Sequence, residues 1–211
     1  MSNINIICDK ISKTYSGKLI LKDISFSISS HQSLSITGRN GSGKTTLIKL
    51  IANIIRPSNG RITFQKNNAD IPDDKRYQRI GLLSPYLNLY DELTAFENLS
   101  FFYKLRSSSN LNPDEKINSL LQKAGLYEKR NELIKNYSSG MKQKLKLLFA
   151  VIHNPEILLM DEPRTNLDKT GIDMICEISA EQKKHGILII ATNDESDKKL
   201  CDDSLNIEDY N

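Results

Sequence analysis

The stretch GRNGSGKTT, residues 38–46, decides the fold. It matches the phosphate-binding pattern G-x-x-x-x-G-K-[ST], and it joins QSLSITG, which has strand character, to KTTLIKLIANII, which has apolar residues at helical spacing. The glycines let the backbone curl so that successive N–H groups point inward, and the positive end of the following helix adds to them. A glycine-rich turn is the alternative, but Lys44 and Thr45 at the helix start favour a phosphate site. The residues predicted to surround the phosphates are Gly38, Arg39, Asn40, Gly41, Ser42, Gly43, Lys44, Thr45 and Thr46.

A second element, ILLMDEP at residues 157–163, completes the predicted site. Four apolar residues precede Asp161 and Glu162, which fall at the carboxyl end of a predicted strand, the edge where α/β sheets bind ligands. We expect Lys44 to reach the β- and γ-phosphates, and Thr45 and Asp161 to hold Mg²⁺. Glu162 is the candidate acceptor of a proton from an attacking water. A solvated strand end is the alternative for the two acids, and the phosphate loop argues against it.

The rest of the chain predicts an α/β fold. Two alternating apolar and polar stretches, NINIICDKISKTY and KLILKDISFSISS, are typical of antiparallel strands, and strand and helix alternate again after residue 154. The middle third is helical in pattern. We therefore predict one domain, 1–211: a P-loop NTPase core with an N-terminal antiparallel β subdomain (1–90 and 154–211) and an inserted helical subdomain (about 91–153). The segment RSSSNLNP, residues 106–113, is predicted to be a short loop.

Composition excludes several classes of protein. The chain has 211 residues, 26% of them charged, and a net charge of +3, with acids and bases interspersed, so we expect no nucleic-acid partner. The three cysteines are widely spaced and odd in number, which favours a reducing compartment. The start, MSNINIICDK, lacks the pattern of a targeting segment, and no run approaches the roughly 18 apolar residues that span a bilayer. Any membrane role is expected to be peripheral.

The phosphate loop, the acidic element and the stretch YSSGMKQKL between them resemble the ATP-binding cassette family of ATPases over nearly the whole chain. SSGMKQ, residues 138–143, is similar to the family signature Ser-Gly-Gly-Gln, with Ser139 in place of the first glycine and Met141 in place of glutamine. The resemblance implies that Ser138, Ser139 and Gly140 begin a helix that reaches the γ-phosphate held by the opposite subunit. An ordinary N-cap on an amphipathic helix is the alternative.

Other roles follow from the resemblance by position. Tyr15 matches the aromatic residue that stacks on adenine, although a packed strand residue is an equal alternative. Asp168, at the end of PRTNLD, matches an acid in the segment that crosses the dimer interface, and it also suits an N-cap. ELTAFENL, residues 92–99, resembles the entry to the helical subdomain that docks on membrane partners.

The sequence departs from the family at two positions. Where the family places a glutamine that touches Mg²⁺, this chain has Pro85, which offers no side-chain ligand; Ser84 and Asn88 are the nearby candidates to replace it. Where the family places a switch histidine at the γ-phosphate, this chain has Asn193. Asparagine donates a hydrogen bond but cannot become cationic. We therefore predict a catalytic set of Glu162, Lys44 and Asn193, with slow but nonzero hydrolysis.

The predicted function is the ATPase subunit of a transporter. Two copies, or this chain with another cassette, would close around ATP and drive a separate transmembrane permease from the cytoplasmic, inner face of the cell membrane. The short form is similar to small exporters of the haem-exporter type. A soluble cassette protein on a non-membrane partner, a small-molecule kinase and a slow regulatory half of a heterodimer are the alternatives. The transported substrate is not predicted, because the permease selects it.

Overall fold

The computed structural model describes residues 3–106 and 112–210, and the predicted loop at 106–113 lies mostly outside them. The strands, numbered in chain order, are β1 Ile4–Tyr15, β2 Lys18–Ser29, β3 Ser33–Thr37, β4 Asn59–Lys66, β5 Ala69–Asp70, β6 Ile80–Leu83, β7 Ile157–Asp161, β8 Ile187–Ala191 and β9 Asp203–Asn206. The helices are α1 Lys44–Ile51, α2 Asp73–Arg76, α3 Ala95–Arg106, α4 Asp114–Lys123, α5 Ser139–Val151, α6 Lys169–Lys183 and α7 Glu195–Lys198.

The N-terminal strands form an antiparallel sheet in the order β2-β1-β4-β5. Strand β1 pairs with β2 on one edge and with β4 on the other, so that Ile6 lies opposite Ile28 and Phe64. Ile4, Ile6 and Cys8 are buried while the residues between them are more exposed, which is the alternation expected of a sheet with one face on the core. The predicted antiparallel β subdomain is confirmed.

The second sheet is parallel, in the order β6-β7-β8-β3-β9. Every residue of β3, β7 and β8 is buried, as expected for strands covered on both faces, which read as apolar runs. The three central strands end almost level, because Ala191 of β8 pairs with both Ile36 of β3 and Asp161 of β7. The segments that leave these three strands therefore emerge side by side at one edge. The predicted α/β class is confirmed.

Two hydrophobic cores lie on the two faces of the parallel sheet. Ile157 and Leu159 of β7 face the core shared with α1 and the antiparallel sheet. Leu158 and Met160, the alternate residues of the same strand, face the core shared with the helices α3, α4 and α5. The helical middle third is thus tied to the sheet by buried apolar surface. None of the helices in the described ranges is long and apolar enough to cross a membrane.

Helix α1 is shorter than its apolar spacing predicts. The pattern KTTLIKLIANII extends to Ile55, but the helix ends at Ile51. Asn53 adopts a left-handed backbone conformation, φ 58°, which stops the helix, and its side-chain amide donates to the carbonyl of Asp73 at 3.1 Å. A tertiary contact to the segment before β6 therefore fixes this helix end.

Candidate functional site

Three segments converge at the carboxyl edge of the parallel sheet. The loop at residues 38–43 follows β3, Glu162 follows β7 and Asn193 lies just after β8. These strands are neighbours in the order β7-β8-β3, so polar residues more than 150 positions apart in the sequence meet at one place. The sheet thus assembles the predicted site.

The phosphate loop takes the curled backbone that its glycines allow. Gly38, Gly41 and Gly43 have φ values of 141°, 83° and 108°, and Ser42 donates its backbone N–H to the carbonyl of Arg39 at 3.1 Å. At Gly43 the φ of 108° favours glycine, and a Cβ there would stand 2.6 Å from the end of the Leu21 side chain and 3.3 Å from the carbonyl oxygen of Ile20, so a larger residue would crowd the loop. Helix α1 begins at the next residue, and its free N–H groups face the loop.

Lys44 lies inside this loop, only 6% exposed. Its ammonium donates to the carbonyl of Gly38 at 2.7 Å and to that of Arg39 at 3.3 Å. The same ammonium is 3.8 Å from a carboxylate oxygen of Glu162. One buried cation therefore stands between the loop that would hold phosphate and the predicted general base.

Asp161 is 1% exposed, and neither carboxylate oxygen makes a hydrogen bond of standard geometry with any residue the structure describes. Burial raises the pKa of its carboxyl, an effect partly opposed by the nearby hydroxyl of Thr45 and by the charges of Lys44 and Lys49. A buried carboxylate without donors is costly unless a cation satisfies it. The carboxylate and hydroxyl oxygens of Asp161 and Thr45 are the hard ligands that Mg²⁺ prefers, so this pair fits a magnesium site completed by phosphate oxygens.

Glu162 sits in a strained position. Its φ is 48°, in the left-handed region, and its backbone N–H donates to the carbonyl of Ala191 at 2.9 Å, which holds that conformation. Burial raises the pKa of its carboxyl; Lys44 opposes the shift, and the charges of Asp161 and Asp197 add to it. A carboxylate with a raised pKa is a better proton acceptor.

A cleft of about 500 Å³ opens in front of these groups, within the range of pockets for nucleotide-sized ligands. Its lining residues are Tyr15, Ile20, Asn40, Gly41, Gly43, Lys44, Thr45, Thr46, Pro85, Tyr86, Asp161 and Glu162. Tyr15 lies at the edge of the cleft, 45% exposed, with the ammonium of Lys13 5.0 Å from its ring centre. Its ring is available for stacking and is not packed in the core, so the geometry favours the first of the two predicted roles.

The other side of the phosphate loop borders a second groove of about 490 Å³, lined in part by Gly38, Arg39, Asn40 and Asn193. The side-chain amide of Asn193 donates to the side-chain oxygen of Asn40 at 2.8 Å. The guanidinium of Arg39 pairs instead with Glu208, so Arg39 offers the loop only its backbone. The structure thus brings Asn193 against the phosphate loop, as its predicted role requires.

The predicted signature residues lie elsewhere. Ser138 caps α5, its hydroxyl accepting the backbone N–H of Met141 at 3.3 Å, and Ser139 and Gly140 form the first turn. None of the three lines the cleft of its own chain. The N-cap alternative holds for Ser138, and contact with a nucleotide on an opposite subunit stays a prediction.

Asp168 is the N-cap of α6. Its carboxylate accepts the backbone N–H of Gly171 at 2.9 Å and pairs with Lys144 of α5 at 2.9 Å. Hydrogen bonds from Lys144, Gly171 and Thr170 lower its pKa to about 2. The capping role is therefore present, while the role at a dimer interface stays a prediction.

Pro85 forms part of the cleft wall, and neither expected substitute lines the cleft. Ser84 is buried and accepts the backbone N–H of Tyr86 at 3.4 Å, while Asn88 is exposed. The residue that does enter the cleft is Tyr86, which the sequence reasoning missed. Its only signal in the sequence was its place next to Pro85.

A buried ion pair was also missed. Arg164, next to Glu162 and Pro163, pairs with Asp197, whose other oxygen accepts the hydroxyl of Thr192 at 3.0 Å. This pair ties the segment after β7 to the segment after β8, the two segments that carry Glu162 and Asn193. No sequence pattern links positions so far apart.

Comparison with known proteins gives the family. Residues 21–165 match the family described as ABC transporter. The linearmycin resistance ATP-binding protein LnrL of Bacillus subtilis (strain 168) is 33% identical over 92% of this chain and 63% of its own length. The Nod factor export ATP-binding protein I of Rhizobium leguminosarum bv. viciae is 34% identical over 96% of this chain and 66% of its own length. The chain thus spans slightly under two thirds of these relatives.

The fold has a close structural counterpart. A dimeric post-hydrolysis state of the ATP-binding cassette MJ0796, bound to ADP and Pi, superposes with a TM-score of 0.84 at 23% identity, covering 95% of this chain and 93% of the other. This match supports the two-sheet fold, and the family match covers the phosphate loop, the signature stretch and both acids. The chain therefore belongs to the ABC transporter family, whose ATP-binding proteins it resembles in sequence and in fold.

Proposed function

We propose that this chain binds ATP together with Mg²⁺ and hydrolyses it as the energy-supplying subunit of a transporter. One observation carries the proposal: the buried carboxylate of Asp161 lies beside the Thr45 hydroxyl, in the same cleft as the ion pair between Lys44 and Glu162. This is the arrangement that phosphoryl transfer needs, with a cation site, a phosphate clamp and a proton acceptor converging on one point.

Each residue has a distinct task in this chemistry. The loop N–H groups and the Lys44 ammonium bind the β- and γ-phosphates. Thr45 and Asp161 would hold Mg²⁺, which would neutralise charge on the phosphate oxygens. Glu162 accepts a proton from the attacking water, because its partly buried carboxylate has a raised pKa. Asn193 donates a hydrogen bond to the γ-phosphate. Tyr15 stacks on adenine from the edge of the cleft.

We further propose that two cassettes close around ATP and that a separate permease carries the transport path. The N-terminal turn of α5, at Ser138, Ser139 and Gly140, supports this, because none of these residues lines the cleft of its own chain and a helix start carries N–H groups suited to an anion. Among the relatives, one is named for Nod factor export, which supports export. The proposed place of action is the cytoplasmic face of the cell membrane, and likeness to the haem-exporter type stays a prediction.

A second candidate is the slow regulatory half of a heterodimer. Asn193 and Pro85 replace the two polar residues that the family uses around the γ-phosphate, and Asn193 is already hydrogen-bonded to Asn40. Such a half would bind ATP as tightly as an active one but release phosphate slowly. The two candidates differ in rate, not in the nucleotide bound.

The test is nucleotide binding and phosphate release by the purified chain. We expect the protein to bind ATP in the presence of Mg²⁺ and to release phosphate, and the Lys44→Ala variant to lose at least about tenfold in affinity, since a charge-assisted contact is removed. Lys22→Ala, which changes an exposed lysine of β2, is the matched control and should behave as the wild type. Wild-type protein that does not bind ATP, or a Lys44→Ala variant that binds it equally well, contradicts the proposal.

A further inference from the structure

Asp161 and Lys49 carry opposite charges near each other but form no ion pair. The Asp161 carboxylate is buried and makes no hydrogen bond of standard geometry with the described residues, although the Thr45 hydroxyl lies beside it and Lys49 follows Thr45 by one turn of α1. A lysine on a flexible four-carbon stem ordinarily pairs with a buried acid within its reach, because attraction between opposite charges is strong where water is excluded. In this protein the two do not form an ion pair.

The ammonium of Lys49 is held by another group. It lies over the ring of Tyr86, 4.0 Å from the ring centre, well inside the range of a cation–π contact. Lys49 follows Thr45 by four residues on α1, so both side chains lie on the same face of the helix. The Tyr86 ring therefore binds the Lys49 ammonium on the helix face that also carries Thr45, a predicted ligand of the metal.

The backbone around Tyr86 is itself anchored. The carbonyl of Pro85 accepts a hydrogen bond from the ammonium of Lys146 of α5 at 3.2 Å. The backbone N–H of Tyr86 donates to the hydroxyl of Ser84 at 3.4 Å. The Tyr86 side chain is 66% exposed, and it lines the cleft together with Thr45 and Asp161. Its position thus depends on the neighbouring backbone and on Lys49, and not on burial in the core.

We infer that Tyr86 is a positioning residue of the metal site: its ring holds the Lys49 ammonium away from Asp161 and so keeps that carboxylate free for Mg²⁺. The inference rests on the proposed function, since it presupposes that Asp161 and Thr45 bind Mg²⁺ with ATP. Tyr86, which makes this contact with Lys49, directly follows Pro85, the residue at the predicted position of the family's glutamine.

The physical consequence is competition between two cations. Without the aromatic ring, the Lys49 ammonium gains rotamers that approach Asp161, and Mg²⁺ must displace it before binding. Loss of the Tyr86 ring should therefore weaken the effect of Mg²⁺ on nucleotide binding about two- to fivefold, the factor that corresponds to one exposed cation–π contact. Removing the lysine charge as well should abolish the competition.

The experiment measures the dissociation constant of a fluorescent ATP analogue with excess Mg²⁺ and with a chelator, and divides the value with chelator by the value with Mg²⁺. We expect Tyr86→Ala to lower this ratio about two- to fivefold, chiefly through the value measured with Mg²⁺. Tyr86→Phe, which keeps the ring face, should match the wild type. Tyr86→Ala combined with Lys49→Met should return to the ratio of Lys49→Met alone.

Two results overturn the inference: a Tyr86→Ala ratio equal to that of the wild type, or a double variant no better than Tyr86→Ala. Thermal unfolding of each variant checks that the fold is retained, which the exposure of Tyr86 favours. Failure of the proposed function is separate, because in that case the wild-type protein itself binds no analogue under either condition.

Discussion

The side-chain amide of Asn193 donates a 2.8 Å hydrogen bond to the side-chain oxygen of Asn40 and so joins the end of β8 to the phosphate loop. The resemblance to the family predicts that Asn193 stands where other members have a switch histidine. An asparagine there keeps a hydrogen-bond donor near the predicted γ-phosphate position but cannot carry a positive charge. The contact supports the prediction that the chain binds ATP normally and hydrolyses it slowly.

Asn193→His should raise steady-state turnover about tenfold. Removing one well-placed donor costs roughly 10² to 10³ in rate, and asparagine, a partial substitute, should cost less than that. Phosphate release by the purified protein, with any partner bound, measures the change. Asn193→Ala is the control and should turn over more slowly than the wild type, with ATP affinity retained. Equal turnover of the wild type and Asn193→His would show that Asn193 does not limit the rate.

Gly43→Ala should destabilise the protein by about 2 to 3 kcal/mol, because it combines an unfavourable φ of 108° with a Cβ only 2.6 Å from the Leu21 side chain. Gly17→Ala is the matched control: its φ is 80°, but a Cβ there meets nothing within 4 Å, so about 1 kcal/mol is expected. Urea unfolding gives both values. Equal losses of unfolding free energy in the two variants would show that the contact with Leu21 does not contribute to the cost of Gly43→Ala.

Arg164→Ala should cost about 3 kcal/mol of unfolding free energy, since it leaves the buried carboxylate of Asp197 without its ion-pair partner. The control is Lys184→Ala, which removes an ion pair with Glu181 whose side chains are 70% and 65% exposed and should cost under about 1 kcal/mol. Chemical denaturation of both variants tests this. A loss at Arg164 no larger than at Lys184 would rule out a structural role for the buried pair.

Asp168→Asn should make the free energy of unfolding fall less steeply as the pH is lowered. The pKa of Asp168 falls from an ordinary 3.8 to about 2 in the folded chain, so its contribution is complete above pH 4 and is lost as the pH falls towards 2. Unfolding by urea between pH 5 and pH 2 measures the slope. Asp173→Asn, at an exposed acid of the same helix, is the control for the loss of one negative charge. The same slope in all three proteins would contradict the assigned contacts.

The sequence was sufficient for the parts of the site that local pattern determines. GRNGSGKTT fixes a loop between a strand and a helix, and ILLMDEP puts two acids at a strand end, so the convergence of Lys44, Asp161 and Glu162 follows from strand order in a parallel sheet. These elements could be predicted because each needs only a few consecutive residues of the right kind.

The remaining features depend on contacts between distant segments. The ion pair of Arg164 with Asp197 and the contact of Lys49 with Tyr86 join residues more than 30 positions apart, and neither leaves a periodic trace in the sequence. The early end of α1 likewise depends on the bond from Asn53 to Asp73. The conformational preferences of short sequence segments do not specify such tertiary contacts.

The most direct test of the account is the mass of a Glu162→Gln variant in solution with ATP and Mg²⁺. Glutamine keeps the shape of the side chain but cannot accept the proton, so bound ATP should persist and hold two chains together. Light scattering should then give twice the 23.9 kDa of the chain with ATP, and the single-chain mass without nucleotide. A variant that binds ATP but stays at the single-chain mass would contradict closure of two copies around ATP, and one that binds no ATP would contradict the site itself.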